Sequence, residues 1–224
     1  MNILQSFYYR NKQVEEIIIP NSKRFMLDSG AFTFFSAGGV VDWRDYIKRY
    51  AAFINRNNVK RFFELDIDRL IGYEKVLYYR SMIEHLTGRQ CIPVWHKSRG
   101  QDEYIRMCEQ YNYVAVGGIA SGEITQKEYK YFPHLIETAH GHGAKIHGLG
   151  FTRIKGLQRY HFDSVDSTSW LSGQRYGVVY RFDGKTMSSY TKRGKGQRVA
   201  DRKIVTMHNF GEWAKFAEYA EKYL

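Results

Sequence analysis

A mixed α/β fold of the (β/α)8, TIM-barrel type is predicted by three observations on the sequence. Short apolar runs alternate with longer stretches whose apolar residues recur at helical spacing, the pattern of parallel βαβ units. The runs end on residues that carry chemistry: Asp28, Asp66, Asp68, His96, Gly117, His147 and Asp166. The 224 residues, 43% hydrophobic and 16% aromatic, suffice for one sizeable core and exclude wholesale disorder.

The elements follow in order. A first strand is expected at 24–27, running into Asp28-Ser29-Gly30. Asp42 is placed to cap a helix that carries Trp43, Tyr46, Ile47, Tyr50, Ala51 and Ile54. A second strand at 61–65 leads to Asp66 and Asp68, and the helix after it carries Tyr73, Val76, Leu77, Met82, Ile83 and Leu86 and stops at Gly88. Strands at 91–95, 113–116, 145–149 and 164–165 alternate with helices at 104–111, 128–140 and 154–160. A further strand is expected at 177–182 and an amphipathic closing helix at 212–223. With no low-complexity linker, no repeat and only 3 prolines, residues 1–224 read as a single domain.

Two architectures fit this alternation, an open doubly wound sheet and a barrel. A barrel typically takes about 250 residues, so this one would be compact. A barrel gathers its strand ends into one ring, where active sites are built, whereas an open sheet uses only those near a switch point. The row of polar strand ends therefore favours the barrel.

Charge and cysteine content narrow the function classes. Lys+Arg number 34 against 23 Asp+Glu, a net charge of +11 that suits a polyanionic partner such as nucleic acid. The segment 184–203 holds Lys185, Lys192, Arg193, Lys195, Arg198, Arg202 and Lys203 against the single acid Asp201, more than half of the excess. Glycines and serines interleave those charges, so it reads either as an extended arm that tracks phosphates or as a solvated surface loop. Two cysteines, Cys91 and Cys108, make neither a disulfide framework nor a four-ligand zinc site. Apolar runs such as Ile17-Ile18-Ile19 are too short to span a bilayer, and the start 1–5 lacks the layout of a secretory leader. A cytoplasmic protein without a membrane partner is expected.

Several strand ends carry carboxylates or glycines that chemistry requires. Asp28-Ser29-Gly30-Ala31-Phe32 joins a carboxylate to a glycine that permits close approach, or else simply caps a turn. Glu64, Asp66 and Asp68 share one strand face, either solvated or, given Phe62 and Phe63, buried. The turn 116–123 (VGGIASGE) offers backbone N–H groups to a phosphate or a planar ring, but it matches neither the Walker loop nor G-x-G-x-x-G. Asp163 and Asp166 stand three apart, and with Asp28 they supply the carboxylate pair that cleaves glycosidic bonds; capping a helix is the competing role. His96 and His147 lack metal-ligand spacing, so no metal is expected.

Taken in their order along the chain, these motifs resemble the tRNA-guanine transglycosylase superfamily, whose members exchange guanine for a 7-deazaguanine on a (β/α)8 barrel. Asp28-Ser29-Gly30-Ala31-Phe32 is similar to the family's D-S-G-G-F, with Ala31 for the second glycine. Leu65-Asp66 is similar to its F-D, the turn 116–123 to G-G-L-A-V-G-E, and His147-Gly148-Leu149-Gly150 to M-G-V-G. Phe162-Asp163-Ser164-Val165-Asp166 resembles D-x-F-D, and Arg175-Tyr176-Gly177 falls where the family has R-N-G. The resemblance covers roughly residues 25–177.

Departures point to a branch. No cysteine follows Cys108, so the C-x-C-x-x-C…H zinc appendage is missing; Trp170-Leu171-Ser172 replaces P-T-R; His96 stands where the family uses a glutamine. A short, zinc-free, basic chain looks more like the DNA-modifying (DpdA-like) branch of phages and bacteria, which would act in the host cytoplasm if phage-encoded. The resemblance implies Asp166 as nucleophile and Asp28 as general acid/base. It implies Ser29, Asp66, Asp68, His96, Gly117, Gly118, Ile119, His147 and Gly148 around the base, and Arg175, Lys192, Arg193, Lys195 and Arg198 on phosphates. It implies no cofactor, and DNA and a free 7-deazaguanine as partners. The same chemistry on tRNA, a barrel lyase or glycosidase acting on a small molecule, and a non-catalytic nucleic-acid-binding subunit are the alternatives.

Overall fold

The computed structural model describes residues 1–30, 33, 41–151, 153–191 and 201–224, and only the backbone of Gln174 and Arg175. Ala31, Phe32, Lys192, Arg193, Lys195 and Arg198 thus lie outside the described residues, as does the Arg175 side chain. The fold is mixed α/β. Its strands form a two-stranded sheet, a four-stranded sheet whose described pairs are parallel, and a two-stranded antiparallel sheet. Named strand pairs close no eight-stranded ring among the described residues. No helix among them is long and apolar enough to cross a membrane. The chain divides into two compact units, residues 2–116 with 138–145, and residue 1 with 117–137 and 146–224.

In the first unit, β1 (Asn2–Ser6) runs parallel to β2 (Arg24–Asp28), so Ser6 sits beside Asp28. The expected strand at 61–65 contracts to Phe62 and Phe63, which bridge Leu27 on one side and Ile92 on the other. Helix α1 (Trp43–Arg56) begins where Asp42 accepts from the N–H groups of Arg44 and Asp45, and it buries Tyr46, Ile47, Tyr50, Phe53 and Ile54. Phe7 packs into that stripe, its ring centroid 5.1–5.4 Å from those of Tyr46, Tyr50 and Phe53. Such tilted and edge-on contacts suit the aromatic quadrupole. Helix α2 (Tyr73–Thr87) ends at Gly88, whose φ of 65° closes it in the left-handed region. β3 (Val94–Trp95), α3 (Gln101–Gln110) and β4 (Tyr113–Val116) complete this run, with β3 and β4 parallel.

Helix α4 (Phe132–Gly141) and β5 (Lys145–Gly148) come next along the chain. In the second unit β5 pairs in parallel with β6 (Ser164–Val165), His147 opposite Ser164. Phe132, Phe151, Tyr160 and Phe162 pack edge to face beneath them. β7 (Val178–Phe182) and β8 (Met187–Thr191) form a hairpin, so part of the basic segment read as an arm is strand. Closing helix α5 (Arg202–Tyr223) starts ten residues before the expected 212, because Asp201 accepts from the N–H groups of Lys203 and Ile204 and caps it there. Arg202 and Lys203 are therefore helical. Asn209 and Glu212 of α5 accept from the N–H groups of Tyr180 and Phe182, at 2.9 and 2.6 Å, and satisfy the free edge of β7.

Candidate functional site

Two clusters of sequence-predicted residues form, one in each unit. In the first, the carboxylate of Asp28 accepts from the N–H of Gly30 at 3.0 Å. Gly30 has φ +75°, and a Cβ there would lie 2.6 Å from Tyr8 Cβ, so only glycine fits. Tyr50 donates to the carbonyls of Leu27 and Phe63, both at 3.0 Å, and Tyr46 donates to that of Ser29. Burial, and then the nearby Asp28 carboxylate, push both phenols well above their ordinary range. Ser29 is wholly buried, and its hydroxyl has no hydrogen-bond partner among the described residues.

Glu64 anchors the rest of this cluster. Its side chain is fully buried and takes Arg80 Nε at 2.6 Å, Arg99 Nη1 at 3.0 Å and the Val94 N–H at 2.9 Å. Burial opposes the charge on both arginines, but the Glu64 carboxylate outweighs it and raises their pKa above the ordinary arginine value; Asp68 adds to this at Arg99. Arg99 Nε reaches Asp68 at 3.1 Å, and its guanidinium lies 4.3 Å over the Tyr73 ring. Asp66 Oδ1 meets His96 Nε2 at 2.6 Å. His96 directly follows β3, and its carbonyl accepts from Arg99 N–H at 2.9 Å, so one short turn carries both side chains.

The donor atoms of Asp66, Asp68 and His96 all lie within 4.8 Å of one another, a set capable of holding a divalent cation. The spacing rules applied to the sequence could not detect it, since the residues come from different strand ends. In this arrangement the donors engage other groups: Asp66 and His96 pair with each other, and Asp68 pairs with Arg99. Asp66 is partly exposed, whereas His96 and Glu64 are buried. An oriented carboxylate–imidazole pair can read the amide and amino edge of a purine.

In the second unit Asp163 and Asp166 separate in role. Asp163 Oδ2 accepts from the Ile146 N–H at 2.9 Å and ties down β5, a structural role on a strand and not the helix cap raised as the alternative. Asp166, its side chain 17% exposed, accepts from the Gly150 N–H at 2.6 Å and lies 3.4 Å from His147 Nε2. The other nitrogen of His147 bonds Ser164 Oγ, which fixes a buried imidazole beside the carboxylate. Gly148 packs where a Cβ would meet Phe151 and Val165 at 3.2 and 3.3 Å. The Gly117-Gly118 turn closes on itself through Ile124 N–H to the Gly118 carbonyl at 3.1 Å, with φ +79° at Gly118 and Ile119 buried.

No protein-family model matches the chain, and no curated protein matches it either. The site is therefore read from its own chemistry. Sequence reasoning missed Arg80 and Arg99, which hold the first cluster together, and Ser164, which orients His147. Arg80 carried a usable signal: a charge falling between Val76 and Ile83 on the apolar stripe of α2.

Proposed function

We propose that this chain is a guanine transglycosylase of the DNA-modifying kind, built on a compact barrel and exchanging guanine for a 7-deazaguanine. The observation that carries the reading is Asp166: a partly exposed carboxylate at the C-terminal end of a parallel strand, held by a backbone N–H and facing a buried histidine. Among the described residues no lysine or arginine pairs with this carboxylate, which leaves it available as a nucleophile. The Asp66–His96 pair in the first unit supports base recognition, and the +11 charge supports a polyanionic substrate.

In this mechanism an Asp166 oxygen attacks C1′ of a deoxyguanosine taken out of the base stack. The C1′–N9 bond breaks, and guanine departs with a proton supplied by Asp28. The incoming deazaguanine gives its N9 proton to Asp28 and displaces Asp166, so two inversions restore the configuration. Asp66, with Asp68 and His96, holds the purine edge, and Ser29 and the Gly117–Gly118 turn complete the base site.

The test is incubation with duplex DNA, or with tRNA in a parallel arm, and 7-cyano-7-deazaguanine, followed by nucleoside mass analysis. The deazaguanosine is expected in DNA. Incorporation into tRNA alone moves the substrate, and incorporation into neither overturns the reading.

A further inference from the structure

The second unit contains a cleft of about 540 Å³ lined by none of the residues assigned above. That is ample for a small-molecule ligand. One wall carries Arg153, Lys155 and Arg159, on and beside the short helix Ile154–Leu157. All three are exposed, and none forms an ion pair among the described residues. Among the described residues the lining contains no carboxylate. Arg153 and Arg159 instead lie 5.8 and 5.5 Å over the rings of Tyr129 and Tyr160. The wall is firm: a Cβ on Gly156 would strike Phe151 at 2.5 Å, so this helix sits flush on the aromatic core.

The lining also carries aromatic rings. Tyr180 of β7 and Trp213 of α5 meet edge to face at 5.5 Å, and both line the cleft. The Trp213 indole N–H is buried with no acceptor among the described residues. Three uncompensated cations, two aromatic rings and a spare donor in one cleft fit one ligand chemistry, an aromatic base joined to a phosphate. We propose that this cleft is a nucleotide subsite for a single-stranded segment of the nucleic-acid substrate. Arg153, Lys155 and Arg159 hold the phosphate, and Tyr180 and Trp213 stack the base. The choice of a strand over a free nucleotide rests on the function proposed above; the pocket chemistry does not.

The test measures binding of a fluorescent eight-nucleotide oligothymidylate to the full chain across a salt series. Deoxyguanosine monophosphate and deoxyguanosine serve as competitors. The variant R153Q/K155Q/R159Q should weaken binding at least about tenfold and flatten the log–log salt slope by about 0.7, the release expected for one single-strand phosphate contact. The charge-conserving R153K/K155R/R159K should restore most of both, and circular dichroism should show both variants folded. The monophosphate should compete and the nucleoside should not. An unchanged affinity and slope in the neutral variant overturn the subsite. Tighter binding of the monophosphate than of the strand overturns the assignment to a strand. Base exchange by the wild type is scored separately: its absence with this binding intact counts against the transglycosylase reading alone.

Discussion

Glu64 and Asp166 are both carboxylates beside parallel strands, and the two units treat them oppositely. Glu64 is sealed from solvent and answered by two guanidinium groups and a backbone N–H. Asp166 keeps 17% of its side chain exposed and is met by one N–H and an imidazole. A buried charge persists only when it is paired and fully hydrogen-bonded, and pairing removes its reactivity. The contrast separates a carboxylate that holds structure from one left available for chemistry.

The sharpest way to break this comparison is to remove each charge in turn. Asp166→Asn keeps the shape and the contact with Gly150, so the melting temperature should stay within a few degrees. Guanine exchange should fall at least about ten-thousand-fold, the scale expected when a covalent nucleophile is lost. Exchange of labelled guanine at a measurable fraction of the wild-type rate would take Asp166 out of that role.

Glu64→Gln should do the reverse. It leaves Arg80 and Arg99 buried without their shared counter-charge, which costs about 3–5 kcal/mol in comparable buried pairs. Urea denaturation reads this directly. Asp163→Asn, where one carboxylate-to-backbone bond is weakened, should cost about 1–2 kcal/mol by the same measurement. Equal losses at the two positions would mean that the charge network contributes nothing beyond single hydrogen bonds.

How much of this was legible depends on the range of the cause. Asp42 and Gly88 mark helix ends through contacts within a few residues, and both ends stand where the sequence put them. β1 went unread because Asn2–Ser6 shows no alternation and gains its identity only from pairing with β2. β7 was expected at 177–182, but its partner β8 was obscured by the charges around it, although Asp183 accepting from Lys185 and Thr186 N–H groups is a local turn signal. At the site, Asp28, Asp66, His96, His147 and Asp166 were found as strand ends. Arg80 and Arg99 were not, because their partner Glu64 lies 16 and 35 residues away in sequence.

The Asp66–Asp68–His96 trio makes a smaller prediction. Its donors are engaged by each other and by Arg99, so treatment with a chelator should change base exchange by less than about twofold. A larger loss, restored by one divalent cation, would recast the trio as a metal centre and dissolve its likeness to a purine-reading edge.

The finest test concerns Tyr73, which roofs the Glu64 network. Its hydroxyl donates to Glu103, and Arg99 lies over its ring. Burial, and then the bond to Glu103, raise its pKa from 10.0 to about 12, while Arg80 and Arg99 pull the other way. A group whose folded pKa exceeds its unfolded value contributes stability below the unfolded pKa and loses it as pH rises through the folded one. The Tyr73 contribution should therefore be complete below pH 10 and fade between pH 10 and 12. Comparing wild type with Tyr73→Phe cancels the other tyrosines that titrate there. The urea midpoints of the two proteins should differ at pH 8 and converge by pH 11–12. A gap that stays constant would show that burial and the Glu103 bond do not hold the phenol's pKa above its ordinary value.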